Sequence, residues 1–179
     1  MADALRFPQH PALRLAARRF VRRGDWRPDR PVFDESPAAM PATLAPGLVQ
    51  VLVRLGCEGG LVEARRQSRL LAGRAGFRET DRAVIAAIVS ELGRNILLYG
   101  ASGEIAVAVI ELEQRVGVRI AARDEGPGIP DIGRAMRDGY SSVGRLGLGL
   151  PGVRRLADEF EITSAPGRGT RVVVTKWRR

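Results

Sequence analysis

Cysteine, histidine and lysine each occur once in the 179 residues, as Cys57, His10 and Lys176. One cysteine can neither close a disulfide within the chain nor build a multi-cysteine zinc site, and its expected role is that of a small buried hydrophobe. The one histidine falls in a Pro/Arg-rich beginning, so Ser-His-Asp and Cys-His machinery have no histidine in the patterned region. Any general base is therefore a carboxylate. The one lysine stands near the far end of the chain. A phosphate loop of the form G-x-x-x-x-G-K-[ST] and a eukaryotic-type kinase strand lysine are both excluded by that position. No run of about 18 apolar residues occurs, and the beginning has no continuous apolar stretch of the kind a secretory signal carries. The chain is expected to be cytoplasmic, with no membrane partner.

Arginine and glycine are what the sequence has in quantity. Lysine and arginine together number 29, so 28 are arginine, and the net charge is +9. A basic surface attracts acidic partners or nucleic acid. Aromatic content of 5% and the lack of any nucleic-acid module argue against the second. Eight of the 21 glycines crowd into residues 124–152, "DEGPGIPDIGRAMRDGYSSVGRLGLGLPG". Glycine costs backbone entropy and is tolerated where the chain needs φ > 0 or where a ligand comes close to the backbone.

Length and composition fit one domain with a short appended arm. Residues 1–45 hold six prolines and eight arginines, which leaves room for little beyond a short helix at 11–23. This segment is expected to be a partly ordered extension, with the folded domain at 46–179. Within the domain, "LVQVLVRL" (48–55) reads as a strand and 60–77 as a helix ending at Gly76. Residues 80–100 form the strongest helix, with Thr80 as candidate N-cap and apolar residues from Ile85 to Tyr99 at three- and four-residue steps. "EIAVAVIEL" and "VGVRIAARD" follow as a hairpin turning near Glu113 to Arg115. A helix at 150–159, a strand at 160–164, the turn "APGRGT" and the strand "TRVVVTKW" complete the order. The sum is an α+β two-layer sandwich: a mixed, largely antiparallel sheet with helices on one face.

Glu91 and Asn95, four apart on the long helix, project from one face one turn apart. They adjoin the apolar stripe, an awkward place for a carboxylate and an amide unless something there uses them. Alone, such a pair reads as an ordinary solvated one. Asp124 ends a strand just before a backbone bent at Gly126 and Gly128, which alone reads as a tight turn. Gly147, Gly149 and Gly152 fit G-x-G-x-x-G, but "GYSSVGR" before them is no apolar strand, so a dinucleotide fold is rejected. A glycine loop opening a helix remains, with Pro151 in its first turn. Free amides and the positive dipole end there suit phosphate oxygens.

Taken together, E-x-x-x-N, D-x-G-x-G, G-x-G and a late Gly169-Thr170 stand in the order and spacing of the GHKL ATPase superfamily, which residues from about 48 to 179 resemble. "SELGRN", "DEGPGIPDI", "DGYSS", "GLGLPGVRRLADEFEI" and "GRGT" look like the RsbT-type serine/threonine switch kinases of the bacterial stressosome, related to anti-sigma factor kinases. The resemblance implies ATP and Mg²⁺ as cofactors. It implies that Asp124 accepts from the adenine amino group, that Gly126 and Gly128 let the backbone pass the purine, and that Thr170 supports Asp124. It gives Asn95 the role of Mg²⁺ ligand, Gly147, Gly149 and Leu150 that of holding the phosphate tail, and Glu91 that of general base. Residues 131–146 would be a lid over the nucleotide, in which Arg145 replaces a glycine common among relatives. The implied protein substrate is a STAS-domain antagonist, with a PP2C-type phosphatase or a sigma factor as further partner; a homodimer is left open. The runner-up is an anti-sigma factor or ATP-gated binding module without phosphotransfer.

Overall fold

The computed structural model describes residues 50–112, 114–137 and 149–179. The arm at 1–45, the segment "DGYSS", Arg145, Gly147 and most of the expected lid lie outside the described residues. Five strands form one sheet in the order β1-β2-β3-β5-β4. They are β1 (Gln50–Leu55), β2 (Gly103–Leu112), β3 (Arg115–Asp124), β4 (Glu159–Ser164) and β5 (Thr170–Trp177). All four described pairings are antiparallel. The expected α+β sandwich is present, and the parallel component implied by "mixed" has no counterpart among the described strands. The hairpin turn leaves Gln114 at φ 66°, within the stretch where the turn was expected.

Helices α1 (Glu58–Arg74) and α2 (Glu79–Tyr99) lie on one face of the sheet. The alternation that strands impose sends Ile105, Val107 and Val109 of β2, Val118, Ile120 and Ala122 of β3, and Val172 and Val174 of β5 into the core beneath them. From α2 come Ile85, Ile88, Val89, Leu92 and Ile96, the residues whose spacing marked the helix. Burying each of these large aliphatic side chains contributes about 1.5–3 kcal/mol. Gly93 is buried among them. A Cβ there would run into Leu61 of α1, with Leu55 and Ile105 also in contact, so its absence lets the two helices and the sheet close up.

Two local expectations are corrected. Thr80 is not the N-cap of α2: the helix begins at Glu79, and Arg78 holds the cap position in extended conformation without a side-chain cap bond. The first turn is favoured instead by Glu79 and Asp81 at the positive end of the helix dipole, with Glu79 bridged to Arg82 at 2.8 Å and also to Arg69. Cys57 is exposed. It sits at the extended cap position of α1, in the short turn after β1, where it belongs to no core-facing stripe. Gly76, by contrast, takes φ 77° just past α1, and the Phe77 amide bonds back to Ala72 at 3.0 Å, the reversal expected of a helix stop.

The other face of the sheet carries charge. Arg171 reaches Glu161 at 3.6 Å, Arg115 lies 4.6 Å from the ring centre of Trp177, and the Trp177 indole donates to Glu159 at 3.1 Å. Burial pulls the Arg119 guanidinium below the usual arginine value, with Glu159 and Glu161 opposing and Arg171 adding to the effect. Past the short helix α3 (Ile132–Ala135) and α4 (Gly149–Leu156), the sole lysine is buried. Lys176 Nζ donates to the Leu156 carbonyl and to Asp158, both at 3.1 Å, so it caps the end of α4 from β5. No described helix is long and apolar enough to cross a membrane.

Candidate functional site

At one end of α2 the sheet and two loops meet. Asp124 is the last residue of β3, half-buried, and on the helix-facing side. Its Oδ1 accepts from the Gly126 amide at 2.9 Å and from the Thr170 amide at 3.2 Å. One oxygen thus carries both backbone bonds, and Oδ2 remains as an acceptor. Gly126 lies against the end of α2: a Cβ would collide with the Tyr99 carbonyl and come within 2.9 Å of the Gly100 Cα. Gly128 takes φ 72° and Gly169 φ 70°. A side chain at the first would strike the Ala165 carbonyl, and at the second the Asp124 carbonyl. The loop after β3 and the β4–β5 turn are therefore in backbone contact, sewn by the Gly167 amide to the Pro127 carbonyl at 2.8 Å.

Along α2, one helical turn separates Glu91 from Asn95. Glu91 is buried, yet both its oxygens are engaged: Oε1 with the Arg94 guanidinium at 2.7 Å and Oε2 with the Gly149 amide at 3.3 Å. Gly149 opens α4 at φ 56°, and α4 packs on α2, with Val153 buried. Leu150 packs against the core. Asn95 is half-buried, and its amide bonds to no other described residue. From Glu91 to Gly100, whose Cβ would touch Asp124 at 2.6 Å, the helix climbs roughly 13 Å at its usual rise. An extended nucleoside triphosphate is of comparable length.

Glu91, Asn95, Asp124, Gly126, Gly128, Gly149, Leu150 and Thr170 thus line one side of the molecule, along and at the end of α2. The expected phosphate residue Gly147 lies outside the described residues. Among the described residues no group of three or more His, Cys, Asp or Glu side chains could hold a metal. A lone amide oxygen at Asn95 still suits Mg²⁺, which keeps several waters and takes further oxygens from phosphate.

Residues 80–179 match the family of histidine kinase-, DNA gyrase B-, and HSP90-like ATPases. The chain belongs to this ATPase family. It is 45% identical over 130 residues to serine/threonine-protein kinase RsbT of Bacillus subtilis (strain 168), covering 73% of this chain and 98% of that protein. It is 33% identical over 93 residues to an anti-sigma F factor of Thermoanaerobacter sp. (strain X514), over 50% of this chain and 65% of the relative. Among solved structures, the RsbU and RsbW domains of a Mycobacterium tuberculosis protein superpose on 74% of this chain and 33% of that one, at 22% identity and a TM-score of 0.51. That likeness speaks for the fold. The family and the RsbT kinship bear out the expectation of an ATP-dependent serine/threonine kinase.

Three residues of this candidate site escaped the sequence. Arg94, the middle of "GRN", holds Glu91. Ser102 donates to Glu125 at 3.2 Å beside the Asp124 turn. Ser164 at the end of β4 ties the loop after β3 to the β4–β5 turn, accepting from the Ile129 amide at 2.8 Å, donating to the Gly169 carbonyl at 2.8 Å and meeting Thr170 Oγ1 at 3.0 Å. A buried polar residue six places before the Gly-Thr threonine was its only signal.

Proposed function

We propose that this chain binds Mg·ATP along α2 and phosphorylates a serine of a small STAS-domain antagonist. When released from that antagonist, it engages a PP2C-type phosphatase or a sigma factor in a partner switch. The observation that carries the proposal is the placement of two carboxylates along one helix, Glu91 midway along α2 and Asp124 beside the helix end at Gly100. Asp124, with Oδ2 open as an acceptor, stands at the base end, and Glu91, beside an amide at the start of α4, stands at the phosphate end.

Bound Mg·ATP supplies the phosphoryl group and charge neutralisation. The chain's own residues bind and orient. A carboxylate offers acceptors only, so Asp124 selects an exocyclic amino group. Glycines 126 and 128 let the loop after β3 close on the end of α2 and on the β4–β5 turn, which shapes the base end. The side-chain oxygen of Asn95 serves the magnesium, and amides at the start of α4, Gly149 among them, take phosphate oxygens. Glu91 takes the proton of the incoming serine hydroxyl. To do so, Oε2 gives up the Gly149 amide, which then turns to phosphate, while Arg94 keeps Oε1. Positioning and charge stabilisation provide most of the acceleration in such transfers.

Labelled ATP and the cognate antagonist provide the test. Native protein transfers label to a serine. Glu91→Ala is expected to lower transfer by about 100- to 10,000-fold while retaining ATP binding. Equal transfer by native protein and Glu91→Ala overturns the assignment of the base, and capture of the antagonist without any transfer favours the ATP-gated binding module. The double engagement of Glu91 seen here is what gives that second reading its weight.

A further inference from the structure

We propose that Ser164 is a specificity-determining positioning residue that fixes the hydroxyl of Thr170 as an acceptor, so that the base end of the cleft presents acceptors alone. The inference rests on reading the Asp124 end as the base site. It comes from counting protons. A serine hydroxyl has one proton and two lone pairs. Ser164 Oγ lies 2.8 Å from the Gly169 carbonyl, and a carbonyl has no proton to give, so the Ser164 proton is spent there. The Ile129 amide donates to Ser164 Oγ at 2.8 Å and uses one lone pair. Thr170 Oγ1 is 3.0 Å away. With the Ser164 proton already committed, the Thr170 hydroxyl is the donor in that contact, and the second lone pair of Ser164 receives it.

What Thr170 has left to offer is lone pairs. Its amide is bonded to Asp124 Oδ1, which places the threonine directly beside the carboxylate on the next strand. Asp124 Oδ2 and Thr170 Oγ1 therefore form a pair of acceptors. An exocyclic amino group with two protons satisfies both, whereas a carbonyl at the same position of the base meets two oxygens and no proton. Ser164 touches neither base nor phosphate in this scheme; it acts through Thr170. It is buried and bonded on all sides, so the hydroxyl cannot reorient without breaking the joint between the loop after β3 and the β4–β5 turn.

The test is the ratio of ADP to GDP affinity, measured by calorimetry with Mg²⁺ for native protein and for Ser164→Ala. The shared diphosphate cancels in the ratio. Native protein is expected to favour ADP by about 100-fold or more, since mispaired buried polar groups reject an analogue strongly. In Ser164→Ala the Thr170 proton is freed to donate to the guanine carbonyl, and the preference is expected to fall by about tenfold. A variant that weakens ADP and GDP equally, with the ratio unchanged, shows a joint that is merely structural and overturns the proposal while leaving the base site intact. Failure of native protein to bind ADP overturns the base site and the proposal with it. Should Ser164→Ala not fold, proton NMR of the native chain decides: a slowly exchanging Thr170 hydroxyl proton close to Ser164 supports the assignment, and a Thr170 hydroxyl in fast exchange with water refutes it.

Discussion

The two ends of the candidate site, from Glu91 midway along α2 to Asp124 beside the helix end at Gly100, are built differently. At the Asp124 end no cation takes part in the joints described: two backbone amides meet one carboxylate oxygen, a serine is bonded three ways, and glycines press against carbonyls. At the Glu91 end the joints are a guanidinium that is itself half-exposed and one long amide contact. The first arrangement has no spare freedom. The second has partners that a phosphate and a substrate hydroxyl can replace. A site that must recognise one base yet rearrange around a reacting group gains from that division, since recognition needs fixed geometry and chemistry needs groups to be released in turn.

Asp124→Ala should break the comparison most severely. ATP affinity is expected to fall by about 100-fold or more, because the amides of Gly126 and Thr170 lose their acceptor as the base loses its own. Asn95→Ala, one turn beyond Glu91 on α2, should instead leave magnesium-free binding unchanged and remove the gain that Mg²⁺ gives. Titration calorimetry with and without the metal separates the two, and a common loss for both would erase the distinction between the ends.

Glycine substitutions sharpen it through stability. Gly128→Ala puts a side chain at φ 72° and into the Ala165 carbonyl, for an expected loss of about 2–4 kcal/mol. Gly149→Ala is also strained, at φ 56°, but its Cβ meets nothing nearer than Pro151 at 3.6 Å, and a loss of about 1 kcal/mol is expected. Denaturant unfolding of the two variants measures the difference in rigidity directly. Arg94→Ala is gentler still. Loss of the guanidinium from Glu91 Oε1 should lower kcat by about three- to tenfold through misplacement of the base, with the KM for ATP unchanged; a rise in KM would move Arg94 into nucleotide binding.

The smallest effect lies away from both ends. Bonds from Arg66 and Gln67 hold the Glu63 carboxyl at about 2, below its usual 4.5. A depressed carboxyl stabilises the fold above its unfolded value, and that contribution fades as pH falls from about 4.5 towards 2. Solvent reaches both partners of this surface pair, and the effect is correspondingly slight. Melting of Glu63→Gln should fall just below native protein at neutral pH and coincide with it near the acid end of that window.

The elements were legible where one periodicity governs many residues. The stripe from Ile85 to Ile96 names α2 and its buried face, and the alternation in β2 and β3 names their hairpin. The site was legible in its short motifs, Glu91 with Asn95 and Asp124 with its glycines, because helix spacing and strand ends translate directly into space. What escaped depends on distant register. Ser164 meets Ile129 across 35 residues, and Gly149 meets Glu91 across 58, distances at which no local pattern operates. Thr80 misled because cap propensity is weak beside the charge pairs that fix the start of α2 at Glu79, and Cys57 because a typical preference for burial yields to a place in a turn.

Since the chain has one lysine and its amine is enclosed between Leu156 and Asp158, amine-directed acylation meets that side chain only when β5 parts from α4. Slow labelling of Lys176 would then time the opening of this corner, and nucleotides that settle α4 onto α2 would lengthen the wait.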